Sequence, residues 1–149
     1  MKLLSAIGGG FAGAAVLTLL HETLRRVNTD APRMDKLGME AISKSLEAVN
    51  VKVPEEDNLF KITMTGDIIS NSLYYSLATI GDEKKVLLRG ILLGLAAGFG
   101  AVYLPKPLGL NESPSNRTPE TKLMTVGLYL AGGLVTGFAA QLLENTQGK

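Results

Sequence analysis

The chain has 149 residues and a net charge of +1; 46% of it is hydrophobic and 19% charged. That length fits one domain, residues 1–149, and the balanced charge, with no interleaving of Lys/Arg and aromatics, excludes nucleic acid as a partner. There is no cysteine, which excludes disulfides, thiol catalysis and thiolate metal centres.

Four apolar runs organise the chain. Residues 3–20 and 123–143 carry no charge, and residues 62–80 and 86–104 are interrupted only by Asp67 and Arg89. A hydrocarbon core about 30 Å thick needs roughly 20 helical residues to cross it. The expected fold is all-α: a polytopic membrane protein, one four-transmembrane-helix bundle with spans at about 3–22, 59–80, 86–104 and 122–143. A short amphipathic interfacial helix is expected at 34–49, between spans 1 and 2.

The first span opens with Gly8, Gly10 and Gly13 in the pattern G-x-G-x-x-G. Residues 2–14 resemble the opening of flavin- and nicotinamide-dependent oxidoreductases, which implies a dinucleotide at the mouth of a parallel sheet. That fingerprint requires a second strand ending in an acid about 20 residues on. Here Asp30 and Asp35 follow no β-branched strand, and the later apolar segments have membrane length. The glycines are therefore read as helix-packing positions in lipid, where small residues four apart let backbones approach. They are Gly9 and Gly13 in span 1, Gly90, Gly94 and Gly98 in span 3, and Gly133 and Gly137 in span 4. Packing within one bundle is preferred to homo-oligomerisation. Lys2 and the small residues at 12–15 imitate a signal peptide, but the segment is read as a retained membrane helix.

The first helix is expected to run on to about Val27 through His21-Glu22-Thr23-Leu24-Arg25-Arg26. Glu22 precedes both arginines at helical contact spacing, as in an interfacial helix end. The functional alternative joins His21 and Glu22 to Asp67 in an inward cluster that binds a cation or relays protons. His21-Glu22 begins H-E-x-x-H, but Arg25 stands where the second histidine is needed. His21 is the only histidine, so no metal site and no cofactor are expected, and no residue is assigned as catalytic. An oxygen-ligated cation on Glu22, Asp67, Asp30 or Asp35 lacks supporting spacing.

In the interfacial helix, Lys36, Glu40, Lys44 and Glu47 share one sector, and Leu37, Ala41, Ile42, Leu46 and Val49 lie outside it. Residues 54–58 then supply turn and cap residues. Span 2 is the most polar: Thr63, Asp67, Ser70 and Tyr74 fall within about 60° of a helical wheel, with Asn71 just beside them. Hydroxyls at Thr65, Ser72, Ser76 and Thr79 can bond back to their own helix, whereas Asp67 and Asn71 need neighbours or water. By depth, Asp67 should meet His21 or Arg25. Arg89 enters from the opposite side, nearer Tyr74, so an Asp67–Arg89 pair is not expected.

The short link at 81–84 should make spans 2 and 3 antiparallel neighbours. Pro105 and Pro107 close span 3, residues 111–117 form a polar loop, and Thr118-Pro119-Glu120 reads as cap, first turn and dipole-matched acid of span 4. Ten of the 15 Lys and Arg lie on the side of the two long connections, which leans towards cytoplasmic long loops and external termini in a plasma (inner) membrane. Three functions are open. The preferred one is a transporter or ion-coupled permeation protein with Asp67 as its ionisable site. The alternatives are a structural or accessory subunit with a membrane partner, and an embedded enzyme using Glu22, His21 and Asp67 on a lipid-soluble substrate. The lipid bilayer itself is the expected surroundings.

Overall fold

A computed structural model describes residues 1–147, with side chains through Thr146; Lys149, one of the five Lys and Arg expected on the side of the termini, lies outside the described residues. Among the described residues the chain is helical and has no strand: α1 (Leu3–Val27), α2 (Met34–Ala48), α3 (Glu56–Ser76), α4 (Val86–Tyr103), α5 (Ser113–Asn116) and α6 (Pro119–Gln147). Helix α3 tightens into a 3₁₀ turn at Leu77–Thr79, and another at Glu83–Lys85 leads into α4.

Helix ends follow local chemistry. The α2 terminus is a left-handed cap on Asn50 (φ 57°): the Val51 N–H donates to the Leu46 carbonyl at 2.9 Å and the Asn50 N–H to that of Glu47 at 3.0 Å. Gly81, at φ 96°, makes the reversal between α3 and α4. Thr118 Oγ1 accepts the Thr121 N–H at 3.0 Å, capping α6 ahead of Pro119 and Glu120 as expected. One helical turn, α5, interrupts the expected polar loop, because side chains tie it to its surroundings. Thr125 Oγ1 donates to Ser115 O at 3.0 Å, and Asn116 Nδ2 to Val102 O at 3.2 Å.

Three helical segments are long and apolar enough to cross a membrane: Leu3–Val27, Glu83–Tyr103 and Pro119–Thr146. Helix α3 falls short of that measure, since Glu56, Asp57, Lys61, Asp67 and Asn71 dilute its apolar residues. Helices α1 and α6 lie antiparallel at the centre, α4 flanks α6, and α3 flanks α1. The tight 81–84 link holds α3 and α4 together only near the turn; along most of its length α4 packs on α6 instead. Glycines explain this choice. A β-carbon at Gly94 would stand 2.7 Å from the Tyr129 carbonyl oxygen, and one at Gly98 would stand 2.8 Å from Val126 Cα. At Gly90 and Gly133 it would collide with the facing glycine's carbonyl. Helix α1 approaches α6 as closely through Gly9, 2.7 Å from Ala140 Cβ by the same measure, and through Gly13 against Gly132 and Thr136.

The core between these helices is Leu17, Tyr75, Leu128 and Tyr129. Large apolar side chains are exposed on all four long helices, including Leu4, Ile7 and Phe11 of α1, Ile62, Ile69 and Leu73 of α3, Leu88, Leu92 and Phe99 of α4, and Phe138 and Leu142 of α6.

Candidate functional site

The cavity of interest lies near the end of the bundle that carries the long connections. Helix α2, sent back by the 28–33 turn, lies across α3 and roofs the space between α1 and α3. The volume of this cavity is about 350 Å³. Helix α1 contributes Thr18, His21, Glu22 and Arg25 at successive turns; α3 contributes buried Thr63, half-buried Asp67 and exposed Ser70, one turn apart on one face. Met34, Ala41 and Ile42 of α2 and Met64 of α3 complete a mostly apolar wall. A second space, between α2 and the C-terminal end of α4, shares Met34, Gly38, Ala41 and Asp67 with the first. Asp67 thus stands between the two.

Charge is distributed unevenly around this cavity. Arg25 grips Glu22 with two bonds, Nε to Oε1 at 2.8 Å and Nη2 to Oε2 at 2.5 Å. Its Nη1 is 3.6 Å from Asp35 Oδ2 and its guanidinium lies 5.7 Å from the centre of the Phe60 ring. Arg33 in turn holds Asp35 bidentately, at 2.9 and 2.7 Å. Glu22, Arg25, Asp35 and Arg33 therefore form one alternating chain that clamps the start of α2 to the end of α1. Burial pushes the Asp35 carboxyl up, but the Arg33 bonds and charge, the Lys36 N–H and Arg25 outweigh it, and its pKa lies below the ordinary 3.8.

Asp67 differs. Its Oδ1 accepts from Asn71 Nδ2 at 2.9 Å, and among the described residues it forms no ion pair. His21 is 8% exposed, its ring edge-on to Tyr129 at 5.8 Å between centroids. His21 Nε2 and Thr18 Oγ1 are buried without a hydrogen-bond partner. Buried polar atoms are rarely left so, and these two belong to residues on neighbouring turns that line one cavity.

The structure separates the sequence-derived candidates. His21, Glu22, Arg25, Thr63, Asp67 and Ser70 line one cavity, although neither His21 nor Arg25 bonds Asp67 directly. Asn71 supports Asp67 from its own helix. Tyr74 points elsewhere, donating to Leu93 O of α4 at 2.9 Å. Arg89 is at the far end, where Nε donates to Ala78 O at 2.6 Å and Nη2 to Asp82 O at 2.8 Å, fastening the α3–α4 turn. Sequence reading missed Thr18, hidden in an apolar run, and Tyr75, whose buried hydroxyl donates to Tyr129 O at 2.7 Å. Thr18 lies one turn before His21, and that spacing is the signal that could have found it. The chain matches no protein family, no curated protein and no solved structure with which it was compared.

Proposed function

We propose that this is a four-span integral membrane protein that binds and carries a small solute, with Asp67 as the ionisable group of its binding site. The observation that carries the reading is the convergence of Asp67, His21 and Thr18 on one cavity near one end of the bundle, with His21 Nε2 and Thr18 Oγ1 buried and unpartnered. An ionisable residue inside a membrane is costly to keep and is by default a functional group. Helix α3 serves as the fourth span because its outward side carries Ile62, Ile69, Leu73 and Leu77, while Thr63, Asp67 and Asn71 turn inward or along the helix. Beyond the cavity, buried Tyr75 and the glycine contacts fill the bundle. A site open at one end and closed at the other is one end state of an alternating-access carrier.

Catalysis has less support, because Glu22 is held in two bonds by Arg25 and is not free to move protons. Helix α2 is read as an interfacial roof, with the long connections on the cytoplasmic side and both termini outside, in a plasma (inner) membrane. Proteoliposomes should show currents when ions, amines, amino acids or carboxylates are applied in turn, with at least one solute active. Asp67→Asn should abolish that current. No current from any solute, or equal currents in both proteins, would overturn carriage through this site.

A further inference from the structure

We propose that the α1–α2–α3 cavity takes an amphiphilic organic cation, an ammonium head on a compact apolar body. This rests on the binding reading above and names its ligand class. The argument is a count of donors and acceptors. The His21 ring is engaged with the Leu17 backbone one turn earlier, and its Nε2 is buried without a partner. Thr18 Oγ1 is equally unpartnered and can accept. The Thr63 hydroxyl has given its proton to Leu59 O at 2.8 Å, and that of Ser70 to Asp67 O at 3.2 Å, so both offer only lone pairs. The Asp67 carboxyl adds acceptors and, among the described residues, has no counter-ion. Arg25 is the one cation on the wall, and it is occupied by Glu22, Asp35 and the Phe60 ring.

The polar side of the cavity therefore offers more acceptors than donors, with one carboxyl that no cation pairs among the described residues. A carboxylate or phosphate would find the Thr18 hydroxyl as a lone neutral donor and, among the described residues, no unpaired cation. A primary ammonium carries three donors and one positive charge, which complements this wall. Met34, Ala41, Ile42 and Met64 then face the apolar part of the ligand, and about 350 Å³ is at the small end of ligand sites.

The chain's single histidine makes the test direct. Protein labelled with ¹⁵N-histidine in nanodiscs gives one imidazole, that of His21, whose Nε2 resonance reports on the cavity. Octylammonium should shift this resonance saturably, while octanol and octanoate at the same concentrations should not. In Asp67→Asn, which keeps side-chain shape, the octylammonium affinity should fall about tenfold or more, the loss expected for a charged hydrogen bond. An unmoved resonance, equal shifts from octanoate or octanol, or unchanged affinity in Asp67→Asn would overturn the proposal. Octylammonium binding without any current would overturn carriage alone, and carriage of another solute without octylammonium binding would overturn the ligand class alone.

Discussion

The α4–α6 interface and the α2–α3 end of the bundle solve opposite problems. Between α4 and α6, glycines at 90, 94, 98, 133 and 137 remove side chains so that backbone meets backbone. In lipid the hydrophobic effect gives helices no reason to associate, so close van der Waals contact must supply the attraction. At the α2–α3 end the same chain leaves a cavity, roofs it with an amphipathic helix and fixes that helix by charge. Gly66 of α3 shows the difference, since a β-carbon there would meet nothing within 4 Å. One half of the molecule is closed by contact, and the other is held open by a polar frame.

Breaking the closed half should have the largest effect. Gly90→Leu would drive a side chain into the Gly133 carbonyl, and we expect a loss of about 3 kcal/mol or more, read as a large fall in Tm in detergent. An unchanged Tm would mean that the α4–α6 approach is not what holds these helices.

Breaking the frame should cost somewhat less. Arg25→Met strips partners from Glu22 and Asp35 together and should destabilise by about 2 kcal/mol, below the value for fully buried pairs because Arg25 retains some solvent. A double-mutant cycle with Glu22→Gln should recover part of that loss, and simple additivity would refute the pairing. Acid should loosen the same frame. The folded Asp35 pKa is depressed, so its contribution is fully present above the unfolded value near 3.8 and is lost as pH falls through the folded one. Thermal scans from pH 5 downward should therefore show a destabilising step that Asp35→Asn removes. The smallest effect sharpens the contrast: Gly66→Ala should raise stability by up to about 1 kcal/mol, since it adds helix propensity where space is free.

Much of this division was legible in the sequence, for reasons that differ between elements. Charge-free runs revealed α1 and α6 because length and apolarity act locally. Gly81 and Thr118 marked a turn and a cap through backbone preferences that are also local, whereas the left-handed cap at Asn50 was not read. The stripe of Thr63, Asp67 and Ser70 was readable because helical period fixes which residues share a face. Partner choice was not readable. Arg25 lies within reach of Asp67 by depth, yet Asp35, brought back by the turn at 28–33, meets it instead. The 81–84 link implied α3 against α4, but glycine contacts with α6 prevailed along most of α4. Thr18 went unread because its apolar run masks it, although it lies one turn before His21.

The central claim is that α3 crosses the membrane with its polar side towards a solvent-connected cavity. The chain lacks cysteine, so single cysteines can be placed at 67, 69 and 73 in an otherwise unreactive background. In native membranes, opened to give access from both sides, a small cationic methanethiosulfonate should label Cys introduced by Asp67→Cys, and leave Ile69→Cys and Leu73→Cys unlabelled in the lipid. Labelling of Ile69→Cys and Leu73→Cys as fast as Asp67→Cys would contradict the account, because the outward side of α3 would then face water.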